Sequence, residues 1–193
     1  MSTPDWARID AAFAGRVAQG VQDAALQRAA VALVLRDGAA GIELLFIRRA
    51  EHPNDPWSGQ IAFPGGRREA RDADLRATAV REAREETGLD LDAGGRFLGP
   101  LDELRAMARL RPMNLAIAPF AFRLETAAEL RLSDEVTSAH WVGLTALLQP
   151  AAHSVLSYEH QGAPLEFPCL RVDGLVIWGL TYRMFASLAE RLA

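Results

Sequence analysis

The chain has 193 residues, half of them hydrophobic and 24% charged, an ordinary globular composition with enough apolar residues to bury one sizeable core. All 21 basic residues are arginine, set against 25 acidic ones, and the formal charge of −4 argues against general nucleic-acid binding while leaving room for a small anionic substrate screened by a cation. With Cys169 the only cysteine, an internal disulfide is excluded; no apolar run approaches the ~18 residues of a membrane span, so the expected setting is the reducing cytoplasm, with no membrane partner.

The hydrophobic pattern predicts a helix from Pro4 to about Gln19, with Trp6, Ile9, Phe13 and Val17 on one stripe and Thr3 as its N-cap. Ala29 to Leu35 and Ile42 to Ile47 read as a hairpin, and Gln60 to Phe63 as a short strand. Pro64, Gly65 and Gly66 then predict a tight turn of bare backbone. A helix follows from about Asp72, carrying Leu75, Ala79, Ala83 and Thr87 along one face and ending at Gly88. Phe97 to Leu101 reads as a strand, Asp102 to Arg111 as a loop or single helical turn, and Leu115 to Leu124 as an edge or bulged strand because of Pro119. Ala139 to Val142 is a strand, Leu144 to Leu148 a short helix, Ser154 to Glu159 and Phe167 to Val172 a pair of strands, and Leu180 to Leu192 a closing amphipathic helix.

The stretch from Arg81 to Leu89, REAREETGL, breaks local rules. It crowds Glu82, Glu85 and Glu86 into the last turn of a helix, where the dipole disfavours each negative charge by ~0.3–1 kcal/mol and like charges repel at three- and four-residue spacing. Such violations concentrate at functional sites. Three clustered carboxylates suit a hard divalent cation, Mg²⁺ or Mn²⁺. Gly65 and Gly66 would let backbone approach that ion or a phosphate closely, and Arg48 and Arg49, at the end of a buried strand, carry the forked donors that clamp phosphates. Trp57 is read either as a ring that stacks on a base or as a plug beneath its Pro-rich loop. Tyr158, His160 and Trp178 are weighed as pocket aromatics against simple packing.

With these residues in view, the chain resembles the Nudix hydrolase family, whose box reads G-x5-E-x7-R-E-U-x-E-E-x-G-U. Gly66, Arg81, Glu82, Ala83, Glu85, Glu86, Gly88 and Leu89 fall on it. The interval from Gly66 to Arg81 is one residue longer than in the box, and Asp72 is the substitute for the first glutamate. That spacing, the acidic pair Glu69 and Asp72, and the segments LLFIRRA, GQIAFPGG and IWGLT look like the coenzyme A pyrophosphatase branch, although Trp57 stands where that branch has histidine. The resemblance implies an α/β fold, the Nudix-type α/β/α sandwich with a mixed β-sheet, spanning residues 1–193 as one domain with a helical extension at 1–27 and the box at 65–89.

It further implies metal-dependent hydrolysis of a diphosphate linkage in a nucleoside diphosphate derivative. Glu82, Glu85 and Glu86 would hold the metal. Arg81 would orient the glutamates, and Glu85, Glu86 or the loop carboxylate Glu135 would serve as general base. Arg48, Arg49, Trp57, Gly65 and Gly66 form the expected substrate-binding set. Coenzyme A or an acyl derivative, giving 3′,5′-ADP and 4′-phosphopantetheine, is the expected substrate; ADP-ribose, NADH and dNTPs are alternatives, as is a nucleotide-binding domain without turnover. The N-terminal helix is free to pack on its own chain or across a homodimer.

Overall fold

A run of seven buried residues in β1 (Gln27–Gly38) organises the structure, a computed structural model that describes residues 3–39, 41–53, 55, 57–108, 111–160 and 163–193, without the side chains of residues 108, 159, 160 and 163. Successive residues of a strand point to opposite faces. Ala29, Val31, Leu33 and Leu35 thus enter one core, and Ala30, Ala32 and Val34 a second on the other face. Burial on both faces marks a strand covered by layers on each side.

β2 (Gly41–Arg49) returns antiparallel to β1 as the expected hairpin. β3 (Ile61–Ala62) pairs with β2, and β4 (Gly65–Arg67) with β1. After α2 (Leu75–Thr87) and the short α3 (Leu91–Gly94) come β5 (Gly95–Pro100), β6 (Leu104–Ala108) and β7 (Arg111–Leu124). β7 lies parallel to β1, with β5 and β6 on its other edge, and β8 (Val136–Gly143) pairs with β2. The sheet is therefore mixed. α2 and α3 cover one face; the other is covered by α1 (Trp6–Phe13), α4 (Leu144–Leu148), α5 (Gly179–Arg191) and a three-stranded antiparallel sheet of β9 (His153–His160), β10 (Ala163–Val172) and β11 (Leu175–Trp178).

Several expectations need correction. α1 is half its expected length: Asp5, not Thr3, accepts from the Arg8 N–H, Gly15 takes φ 66° just beyond the end, and Val17 is 90% exposed. Residues 14–26 are instead a connector with turns at either end, tied down where the Gln19 and Val21 N–H groups donate to Asp102 and Glu103. Asp102 to Arg111 contains a strand, because β7 offers a free edge to β6 and tertiary pairing overrides the local pattern. β7 itself is central, not an edge. Pro119 is tolerated because its peptide faces the break between β5 and β6, where its carbonyl still accepts from the Leu101 N–H.

The glycine segment is also a strand and not a turn. Gly65 lies opposite Val31 and Gly66 opposite Ala30, and a Cβ at Gly65 would overlap the Ala30 carbonyl oxygen and the Val31 backbone. Contact this close admits no side chain. Gly65→Ala is expected to destabilise the fold by ~2–3 kcal/mol, lowering Tm by about 4–12 °C for a chain of this size; thermal unfolding checks this, and an unchanged Tm would mean that β4 does not press on β1 as described.

Candidate active site

α2 forms because apolar residues recur at helical spacing and both ends are capped. Asp74 accepts from the Ala77 N–H at 2.7 Å, and Gly88 closes the helix in the left-handed region at φ 75°. The buried Ala79 and Ala83 set the helix close on the sheet. That seating aims Glu82 and Glu86, four residues apart, at β4. A Cβ on Gly66 would overlap the Glu82 carboxylate, and the Gly65 N–H donates to Glu86 Oε2 at 2.8 Å. The two glycines thus leave room for two carboxylates against bare backbone.

Arg81 holds this arrangement together. Its guanidinium donates to Asp72 at 2.9 and 3.1 Å, to Glu82 and Glu85 at 2.9 Å each, and to the Arg67 carbonyl at 3.0 Å. Asp72 is buried and also accepts from the Glu69 N–H and the Thr78 hydroxyl. It therefore fixes Arg81 and the preceding loop, while the neighbouring Asp74 caps the helix. Its hydrogen bonds from Arg81 hold its carboxyl well below the usual range despite burial.

Glu82 and Glu86 move the other way. Burial pushes Glu82 up, and Arg81 offsets this only in part. Burial pushes Glu86 up to about 7, with the Glu82 and Glu135 charges adding to it and the Gly65 N–H and Arg49 opposing it. Arg49 Nη1 stands 3.9 Å from Glu86 Oε1. Glu135 is exposed beside them, on the loop before β8. Glu85 is turned outward, shared between Arg81 and Arg71 Nη2 at 3.0 Å. Accordingly, among the described residues no three carboxylate, imidazole or thiolate groups stand ready to enclose a cation as they lie. The donor set is nonetheless hard oxygen with surplus negative charge, the chemistry that suits a divalent cation.

These groups edge a cleft of about 610 Å³. Arg49, Trp57, Gly65, Gly66, Arg81, Glu82, Glu85 and Glu135 line it, and Glu86 lies buried just behind. Arg48 does not line it: successive side chains of a strand point to opposite faces, so Arg49 alone turns to the cleft, and Arg48 Nη1 donates to the Gly59 carbonyl instead. Trp57 is both cleft wall and core contact, and its backbone N–H donates to Asp55 Oδ1. His52 lies on the rim. Tyr158 and Trp178 stack on each other away from the cleft; the His160 side chain falls outside the described residues.

Three participants carry no assigned role in the sequence reading. Arg67 lines the cleft and is exposed; alternation along an extended Gly-Gly-Arg segment is the signal that finds it. Asp55 accepts from Arg49 Nε and Nη2 at 2.9 and 2.7 Å. Thr181, in the IWGLT segment, donates to the Ile61 carbonyl at 2.9 Å and ties α5 to the cleft.

The NUDIX domain model matches residues 26–159, and the chain belongs to that family. An uncharacterized Nudix hydrolase of Yersinia pestis (strain Pestoides F), NudL, is 26% identical over 155 residues, which is 78% of this chain and 72% of that protein. The uncharacterized protein C14C4.10c of Schizosaccharomyces pombe is 36% identical over 123 residues, 62% of this chain but only 37% of that relative's length. Among solved structures, a MutT/nudix family protein from Enterococcus faecalis superposes with TM-score 0.56 at 15% identity, covering 99% of this chain and 75% of that one. A C. elegans Ap4A hydrolase binary complex gives 0.52 at 20% identity over 62% and 82%. These two structures share the fold. No described helix is long and apolar enough to cross a membrane.

Glu86 links the site to stability. Its folded pKa of about 7 lies above the ordinary 4.5, so its ionisation weighs against the folded state: the penalty is absent below pH 4.5, grows as pH rises and is complete above about 7. Glu86→Gln is expected to stabilise the metal-free protein at pH 8 by ~1–3 kcal/mol, or about 2–4 °C in Tm per kcal/mol, with no gain at pH 4.5. Melting curves at the two pH values decide it, and equal effects at both would contradict the assignment.

Proposed function

We propose that this chain, as one domain including its N-terminal helix, hydrolyses the diphosphate linkage of a nucleoside diphosphate derivative with the help of Mg²⁺ or Mn²⁺. The observation that carries the reading is a pair of carboxylates, half-buried Glu82 and buried Glu86, laid against the bare Gly65–Gly66 backbone at the edge of a cleft that also presents Arg49 and Arg67. Two carboxylates kept largely out of water with too few cations are costly unless a further positive charge joins them. A bound divalent cation supplies that charge, neutralises diphosphate oxygens and acidifies water.

Glu82 and Glu86 are the residues that would hold it, with Glu85 the third carboxylate on the same cleft edge. Arg81 keeps Glu82 oriented and is itself fixed by Asp72. Arg49 and Arg67 take the diphosphate oxygens in forked hydrogen bonds, and the glycine backbone lets a phosphate lie close. Glu135, exposed beside the pair, is the general base. It has solvent on one side and the carboxylate pair on the other, and it is free of the arginine contacts that occupy Glu85. Trp57 closes one wall of the cleft.

Coenzyme A and its thioesters are the first substrates to examine, because the three segments that resemble the coenzyme A pyrophosphatase branch converge here: Arg49, Gly65 and Thr181 come from them and all line this cleft. Purified protein with Mg²⁺ or Mn²⁺ is expected to release 3′,5′-ADP from coenzyme A, resolved by chromatography alongside ADP-ribose, NADH and dNTPs. Chelation should abolish turnover. Glu82→Gln should lower it by at least ~100-fold, more than the loss of a residue that only supports a metal ligand. Cleavage of another member of the panel would keep the chemistry and discard the substrate. Tight nucleotide binding without turnover, unaffected by Glu82→Gln, would instead make this a binding domain.

A further inference from the structure

Arg49 faces two carboxylates and is bonded to one of them. Its Nε and Nη2 donate to Asp55 Oδ2 at 2.9 and 2.7 Å, while its Nη1 stands 3.9 Å from Glu86 Oε1, about 1 Å beyond a hydrogen bond. The partner it takes is the less buried one: the Asp55 side chain is 16% exposed and that of Glu86 only 4%. Opposite charges attract more strongly where water is excluded, so a guanidinium this close to Glu86 closes on it unless something holds it back. The loop after β2 supplies that hold. Asp55 Oδ1 accepts from the Trp57 N–H at 3.0 Å, the Asp55 N–H donates to the His52 carbonyl and the Asp55 carbonyl accepts from the Ser58 N–H, both at 3.1 Å, and the Ser58 hydroxyl accepts from the His52 N–H at 2.8 Å. These bonds lie within one loop and set the Asp55 carboxylate independently of Arg49.

We infer that Asp55 is a positioning residue that holds Arg49 back from Glu86 and so keeps that carboxylate open to a divalent cation; the inference rests on the metal-dependent reading above. Arg81 already takes one oxygen of Glu82, so Glu86 is the member of the pair whose charge has no direct arginine bond. It has the Gly65 N–H on Oε2 and, among the described residues, only Arg49 facing Oε1. If Arg49 closed that gap, Glu86 would enter a buried ion pair, and a cation would have to displace a guanidinium before it could bind. With Asp55 in place, the Nε side of Arg49 is filled and Nη1 is left for a diphosphate oxygen in the cleft that Arg49 lines. One aspartate thus reserves the arginine for substrate and the glutamate for metal.

The test is a double-mutant cycle on the full chain, read by Mn²⁺ binding without substrate, with free Mn²⁺ followed by electron paramagnetic resonance. Asp55→Asn keeps an oxygen for the Trp57 N–H but can no longer counter the Arg49 charge. It is expected to raise the Mn²⁺ dissociation constant at least ~10-fold, the scale of one charged hydrogen bond that the ion must now break. In the Arg49→Gln background the same substitution should cost less than ~3-fold, because no guanidinium remains to compete and only a screened charge is lost. Turnover is the second readout: raising Mn²⁺ should restore the kcat of Asp55→Asn, whereas a damaged loop would stay impaired at any concentration. An Mn²⁺ affinity unchanged in Asp55→Asn, a loss equal in both backgrounds, or a kcat that stays low at saturating Mn²⁺ overturns the inference, and wild-type turnover of the substrate panel then keeps the hydrolase reading. The expected cycle with no turnover of any substrate sustains the inference and removes that reading. A wild type that binds no Mn²⁺ overturns both.

Discussion

The Arg81–Asp72 pair is the interaction on which the rest of the site depends. Both groups are withdrawn from water, and each has the other as its principal partner. A buried ion pair of this kind adds little net stability; what it supplies is direction. With Asp72 occupying one side of the guanidinium, the remaining donors can reach only Glu82, Glu85 and the Arg67 carbonyl. The loop after β4, the helix carrying the glutamates and the strand carrying the glycines are thereby fixed to one another through a single side chain. Removing Arg81 leaves Asp72 buried without its counter-charge, whereas removing Asp72 leaves Arg81 its two glutamates but loosens its hold on the loop.

The tension in the site follows from the same geometry. Arg81 satisfies Glu82 in part, but Glu86 receives only one backbone N–H and a distant arginine. Its charge is therefore resisted by its surroundings. This is a site more comfortable with an added cation than without, and stability is given up for that readiness. Where the fold needs order, carboxylates meet arginine closely, as at Asp72, Asp55 and Glu103; at Glu86, where the site needs affinity for a cation, the arginine stands 3.9 Å away.

How much of this the sequence discloses depends on whether the cause is local. α2 is legible because alanine spacing and Gly88 are local signals, and α4 and the β9–β10 pair for similar reasons. The glutamate cluster stands out because it defies the helix dipole. By contrast, LRAMA gives no local hint of β6, which exists because β7 has an open edge. The centrality of Pro119 depends on a break in a neighbouring ladder, and the choice of Arg49 over Arg48 on which face of β2 the cleft opens. In DAD, residues 72–74, one aspartate caps and the other orients; only packing distinguishes them.

The parallel pairing of β1 with β7 also sets the order in which the molecule can be made. Gln27 lies beside Leu115, so the floor of the cleft joins segments roughly ninety residues apart, and the closure entropy of that loop has to be met before the contact returns anything. The β1–β2 hairpin and α2 are available from local sequence much earlier. A chain still emerging from the ribosome therefore holds its glutamate helix and glycine strand before it has a cleft to place them in. Until β7 arrives, the far edge of β1 is an open, apolar template, the kind of surface on which incomplete chains stick to one another.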